Sequence, residues 1–307
     1  MEIIAGIIIA LLFVYAADKY MQGSKERETE LVEPIQTDTR QKLIISTDAH
    51  PMSDEDDCQT WISTWKHVEQ IYNLRGIDST NFFEGSGVPF IRQLLDETGA
   101  PQSIPIVRGA SVTNDIATVT EGAQFYIDQL QHTDTKIEIW VWGAISTLAQ
   151  ALRARPDLAT RISAVYEIGS GNVLIDKPAY DYLRNNHSND FTLYLDNQAF
   201  RGMMRSGDKS KLVALHKYIE ASKIGGVWMK YTVPLMQKQV EFANQGWKNG
   251  DIPCYLYSIN PSLRDRIFKR DINKWFIADG QSVQEAMAAN DVRDWMASRI
   301  KANVDLY

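Results

Sequence analysis

Basic runs, phosphate loops and a disulfide framework are all missing from this sequence, and each absence removes a class of function. No Lys/Arg-rich run of the kind that tracks phosphates occurs in the 307 residues, and the net charge is −7. Nucleic-acid binding is therefore not expected. Cys58 and Cys254 are the only cysteines, so the chain is no disulfide scaffold, and whether these two pair is open at this level. There is no G-x-S-x-G elbow, no P-loop and no G-x-G-x-x-G, which removes the commonest hydrolase and nucleotide templates. The five histidines, His50, His67, His132, His187 and His216, show no metal-ligand spacing. Of these only His50, two residues from Asp48, sits near other chemistry-bearing groups.

What is present is a large apolar share, 44% of residues, enough to bury the core of a single α/β domain. One uninterrupted apolar run, IIAGIIIALLFVYAA from Ile3 to Ala17, opens the chain. As a helix it is about 22 Å long, short of a bilayer core of about 30 Å. Its length suits a signal peptide, with Val14-Tyr15-Ala16 as a cleavage site. Its charge flanks, with Lys19, Lys25 and Arg27 all following it, suit an uncleaved membrane anchor instead. We expect residues 1–20 to target a membrane or export route, with sidedness open. Residues 21–40 read as a polar linker and residues 41–307 as the folded domain.

From Lys42 onward, patterns of strand and helix type alternate. Leu43–Thr47 is a buried-strand run, and Trp61, Trp65, Val68 and Tyr72 recur at helical spacing. Tyr72–Ile77 and Ile104–Val107 are further strand candidates, the latter followed by a helix striped by Val119, Ala123, Tyr126, Ile127 and Leu130. Ile137–Trp142, the stripe Ile145, Leu148, Ala149, Leu152, and Ala164–Ile168 form strand, helix and strand within about thirty residues. That spacing defines a βαβ unit and hence a parallel sheet. Phe191–Leu195 adds a strand, and helices are expected at 209–222, 234–244 and 283–300. No internal repeat or low-complexity tract interrupts the domain. The fold class expected is α/β, an open and mostly parallel sheet with helices on both faces.

In such sheets ligands bind beyond the carboxyl ends of the strands. The loop TDAHPMSDEDDCQTW leaves the first strand at that end and carries Asp48, Asp54, Glu55, Asp56 and Asp57. Clustered carboxylates repel one another unless a cation binds or water solvates them, and oxygen donors at this density suit Ca²⁺ or Mg²⁺ rather than zinc. Composition alone leaves a metal site and a solvated acidic loop evenly balanced. An EF-hand is excluded, because its glycine and distal glutamate are missing. Asp54-Glu55-Asp56 also fits the D-x-D pattern of some glycosyltransferases.

The segment LIISTDAHPMSDEDDCQTW resembles the opening of the nucleoside hydrolase superfamily, where a first strand ends in Asp and an Asp-Asp pair follows. VWGAISTLAQALRARPDLATRI is similar to that family's strand, glycine turn and helix. YLDNQAFRGM and NGDIPCYL resemble a divergent, mostly exported branch of nucleoside-hydrolase-like proteins, some joined to carbohydrate-binding modules. The resemblance implies a Rossmann-like topology and a Ca²⁺ site, with Mg²⁺ as the weaker alternative. It implies Asp48 as metal ligand and general base, Asp57 as a bidentate ligand, the Trp142 carbonyl as a ligand and Asp251 as the distal carboxylate. Asp56, with Asp54 as its alternative, Asp196 and Asn197 are implied as sugar contacts, and Trp142, at a strand's end, is a candidate for lining the pocket. Two departures stand out: the loop between Asp48 and the Asp56–Asp57 pair is longer than in the family, and Gly250 occupies the place of a histidine that assists base departure. The function expected is Ca²⁺-dependent hydrolysis of an N-glycosidic or related ribosyl bond. The alternatives are a non-catalytic sugar- or glycan-binding module on the same fold, and a metal-dependent glycosyltransferase. Expected partners are a sugar or nucleoside-like small molecule and, through the N-terminal segment, a membrane, with homo-oligomerisation left open.

Overall fold

The computed structural model describes residues 38–51, 55–80, 87–110, 116–168, 172–196, 209–238, 251–271, 275–278, 281–282, 285–286 and 289–307. Arg40–Tyr307 forms one compact unit. The N-terminal apolar run, Asp54, Asn197 and Gly250 lie outside the described residues. Among those described, no helix is long and apolar enough to cross a membrane.

Along the chain run β1 (Gln41–Thr47), α1 (Glu55–Ile71), β2 (Tyr72–Ser79), α2 (Gly87–Glu97), β3 (Ile106–Arg108), α3 (Glu121–Gln131) and β4 (Ile137–Val141). After α4 (Ser146–Ala154) comes a 3₁₀ turn (Pro156–Arg161), then β5 (Ile162–Ile168), α5 (Asn172–Ile175), α6 (Lys177–His187) and β6 (Thr192–Asp196). The rest comprises α7 (Lys209–Glu220), α8 (Gly225–Lys238), α9 (Ile252–Ile259), α10 (Pro261–Ile267), β7 (Phe268–Arg270), β8 (Phe276–Ala278) and α11 (Asn290–Val304).

The sheet has eight strands in the order β3-β2-β1-β4-β5-β6-β8-β7. Every pairing is parallel except β7 with β8. This is the doubly wound topology expected from the βαβ reading. Strand order reverses between β1 and β4, which is where such folds open a ligand crevice. The central strands are buried on both faces, as their near-continuous apolar runs require. Alternate residues serve two cores. Leu43, Ile45, Trp140 and Tyr166 pack towards α1, α2 and α8 to α11. Ile44, Ile139, Val141 and Val165 pack towards α3, α4 and α6.

The sequence reading differs from the structure at element ends and in omitting α2, α6, α9 and α10. The helix expected at 209–222 is α7. α8 begins nine residues before the expected Pro234, because Gly225 follows a turn closed by the Gly225 N–H on the Ser222 carbonyl at 3.0 Å. β7 and β8 were not foreseen: each has three residues, too short for an alternating pattern to stand out.

Candidate functional site

Two helices and two strands build the site at the β1–β4 switch point. β1 delivers Asp48 just past its last residue, and β4 delivers Trp142 and the turn glycine Gly143. A Cβ on Gly143 would lie 2.6 Å from Thr80 Oγ1 and 3.0 Å from both Cβ and Cγ of Asp48. Only glycine lets the β4 turn approach this closely, so the glycine of the VWGA segment shapes the wall against which Asp48 rests.

α1 begins at Glu55 and places Asp56 and Asp57 in its first turn, while Asp251 stands at the N-cap position of α9. Helix N-termini favour carboxylates through their exposed N–H groups and dipole. Two such termini meet here. One carboxylate oxygen from each of Asp56, Asp57 and Asp251 lies within 4.8 Å of the others, and all three residues are buried. At that separation each ionised pair costs about 3 kcal/mol at an effective dielectric constant of 20. The lengthened loop after Asp48 thus still brings the Asp56–Asp57 pair to the distal carboxylate. The Thr47 hydroxyl, at the end of β1, donates to Asp57 Oδ1 and ties the α1 terminus to the sheet.

The other expected residues fall around this corner. The Trp142 carbonyl accepts a bond from Asn172 Nδ2 at 3.1 Å, which occupies one of its two acceptor directions. The Trp142 ring is buried and, with Asp57, Thr47, Ala49 and Trp61, lines a crevice between β1, α1 and α2. Asp196 ends β6, is fully buried, and accepts from the Tyr257 hydroxyl at 2.6 Å. Cys58 and Cys254 are both buried, and neither is in a disulfide. The Cys254 thiol donates to the carbonyls of Tyr166 and Val141 at 3.3 and 3.8 Å, and burial pushes its pKa up, with Asp251, Glu167 and Asp196 adding to the rise.

Behind the sheet lies a second set of acidic groups that the sequence reading missed. Register aligns Asp78 with Ser46, Ser46 with Val141 and Val141 with Glu167, one row across four strands. Ser46 Oγ donates to Asp78 Oδ2 at 3.1 Å, yet burial drives the Asp78 pKa up to about 7. Its Oδ1 lies so near the backbone that a Cβ on Gly109 would sit 2.0 Å away and one on Gly122 2.8 Å away. Burial drives the Glu167 pKa well above the ordinary range, with Asp176 and Asp48 adding to the rise and Tyr180 opposing it. Asp176, which accepts from the Ser146 hydroxyl, is likewise pushed up to about 7 by burial. A glutamate inside the otherwise apolar run Ala164–Ile168 was the available signal for this row.

A doubly wound α/β domain with a carboxylate corner at its switch point is the class that fold and site define. No protein-family model and no curated protein matches the chain. Solved structures do, and they establish a nucleoside-hydrolase-like fold. The purine-preferring ribonucleoside hydrolase from Gardnerella vaginalis aligns with a TM-score of 0.60 at 16% identity, over 87% of this chain and 100% of that one. The inosine–uridine-preferring nucleoside hydrolase from Bacillus anthracis aligns with a TM-score of 0.60 at 10% identity, over 87% and 100%. The type III effector XopQ, solved in complex with adenosine diphosphate ribose, aligns with a TM-score of 0.63 at 11% identity, over 86% and 94%.

Proposed function

We propose that this protein is a divalent-metal-dependent hydrolase of ribosyl bonds, with Ca²⁺ as its ion. The observation that carries the reading is the convergence of Asp56, Asp57 and Asp251 within 4.8 Å, with Asp57 tied to Thr47 at the end of β1, the residue before Asp48. Three buried carboxylates brought within 4.8 Å of one another form an all-oxygen donor set that a cation would stabilise. All-oxygen ligation in a largely dehydrated corner suits Ca²⁺, which accepts irregular oxygen cages, better than Mg²⁺, which retains water in an octahedron. The named relatives support the substrate class, since ribonucleosides and adenosine diphosphate ribose share a ribosyl group linked at its anomeric carbon.

Asp57, Asp251, Asp48 and the Trp142 carbonyl would hold the ion, and Asp56 would contact sugar hydroxyls. When bound, the ion supplies a lowered pKa for a coordinated water. Asp48, fixed against Gly143 and Thr80, takes the proton from the attacking water as general base. The oxygen then bonds to the anomeric carbon as the glycosidic bond breaks, and the departing group carries that electron pair away. Positive charge develops on the sugar ring, and the acidic corner stabilises it. The Asp48→Asn protein is expected to lose about 10³-fold in kcat while still binding Ca²⁺ in calorimetry. Full turnover by Asp48→Asn would defeat the mechanism.

The second reading is a sugar-binding module without catalysis. It is favoured by Gly250, which leaves no histidine before Asp251 to protonate a leaving base. Chelator-sensitive turnover on any member of a ribosyl substrate panel rejects it.

A further inference from the structure

We propose that Thr47 is a positioning residue, whose hydroxyl holds the Asp57 carboxylate in its metal-binding place before an ion arrives. This deepens the metal-dependent reading above and rests on it.

Three observations carry the proposal. The first is a relay of two hydrogen bonds. The Ala49 N–H donates to Thr47 Oγ1 at 3.1 Å, and the Thr47 hydroxyl donates to Asp57 Oδ1. A hydroxyl has one proton and two acceptor lone pairs. Taking the Ala49 bond on a lone pair leaves that proton for Asp57, and a bond to a carboxylate is short and directional.

The second observation is the firmness of the anchor. Thr47 is the last residue of β1 and pairs with Ser79 of β2. Its carbonyl accepts from the Thr80 N–H at 2.9 Å and from the Thr80 hydroxyl at 3.3 Å. Thr47 is 3% exposed and Asp57 2%. A β-branched side chain on so fixed a backbone has few rotamers, so Oγ1 stays where the sheet puts it. Residues 49–56 separate Asp48 from Asp57 along the chain, and this one bond spans them.

The third is where the bond lands. Asp57 supplies one of the three carboxylate oxygens that lie within 4.8 Å of one another, and Thr47, Ala49 and Asp57 line the same crevice. When ionised these carboxylates repel, and a side chain free to turn would move away from the others. The Thr47 bond opposes that movement, so the fold, rather than the ion, does part of the assembly. Loss of the hydroxyl should therefore act on metal affinity. Thr47 touches no reacting atom, so turnover at saturating Ca²⁺ should be kept.

The experiment compares the full-length wild type with Thr47→Val, Thr47→Ser and Thr47→Cys. Thr232→Val is the control, because the Thr232 hydroxyl is buried and donates to the Trp228 carbonyl within α8 at 2.6 Å. Ca²⁺ is titrated calorimetrically into each metal-free protein, and melting temperature is read with and without Ca²⁺. Valine keeps the shape and removes the donor, so Thr47→Val should bind Ca²⁺ about 10- to 100-fold more weakly. Its gain in melting temperature on adding Ca²⁺ should shrink accordingly. Thr47→Ser keeps the donor and should bind nearly as the wild type does, as should Thr232→Val. Wild-type affinity in Thr47→Val overturns the proposal, as does an equal loss in Thr47→Ser or Thr232→Val. A loss of kcat that saturating Ca²⁺ does not restore ties the hydroxyl to Asp48 instead and also overturns it. Should Thr47→Val not fold, Thr47→Cys decides, since a thiol is a weak donor: affinity well below that of Thr47→Ser supports the proposal and equal affinity overturns it. A wild type that binds no Ca²⁺ overturns the reading beneath, a failure visible before any variant is made.

Discussion

The two faces of the sheet's carboxyl end carry the same residue type and treat it in opposite ways. On the α1–α9 face, Asp56, Asp57 and Asp251 converge to within 4.8 Å at two helix N-termini. On the α3–α6 face, Asp78, Glu167 and Asp176 form no such group, and burial raises the pKa of each. A carboxyl that is buried without a counter-charge lowers its cost by keeping its proton. Carboxylates brought together at helix N-termini instead have the exposed N–H groups and dipoles there to offset their repulsion, and would offer oxygen donors to a cation.

The comparison breaks most easily at the front corner. Asp57→Ala should weaken Ca²⁺ binding by more than about 100-fold, read by calorimetric titration, whereas Asp176→Asn should leave that affinity unchanged. Equal effects from the two would dissolve the distinction. Next in size, Gly143→Ala pushes a methyl group to 3.0 Å from the Asp48 side chain. Displacing the base in this way should cost about 100-fold in kcat, with Ca²⁺ binding largely kept.

At the rear row the readout is stability. Gly109→Ala places a Cβ 2.0 Å from Asp78 Oδ1 and should destabilise the fold by about 3 kcal/mol in urea unfolding. The smallest effect concerns pH. Asp78 and Asp176 rise from 3.8 to about 7 on folding. Both states are protonated at lower pH, but between these values only the folded state holds the protons, so stability falls as pH rises through that window and levels off above it. Asp78→Asn should remove only a part of the fall through this window, since Asp176, Glu167 and Glu138 are raised as well, measured by melting temperature. An unchanged pH dependence would show that Asp78 is not a neutral acid in the folded protein.

Much of the architecture was legible because the central strands are buried on both faces and so appear as apolar runs. β1, β4, β5 and β6 follow from Leu43–Thr47, Ile137–Trp142, Ala164–Ile168 and Phe191–Leu195. Short or mixed elements were not legible. α6 mixes Lys177, Asp181, Arg184 and Asn185 with its buried positions Ala179, Tyr180 and Leu183, which dilutes its stripe. For the site, chain position gave Asp48, and the resemblance suggested that Asp251, nearly two hundred residues away, joins Asp57. The structure places Asp251 beside Asp56 and Asp57. The Thr47 hydroxyl and the rear row escaped notice because their roles depend on pairings across strands and between strand and helix, which spacing along one chain does not encode.

The sheet's outermost strands have a colloidal consequence. β3 and β7 span three residues each, and they carry Arg108, Lys269 and Arg270. Such edges offer few open backbone groups to a neighbouring molecule, and they repel an approaching copy with like charge. The reversal of β7 against β8 also ends the parallel register that a further strand would have to continue. An eight-stranded sheet with an apolar interior is in this way protected from stacking end to end into a fibre.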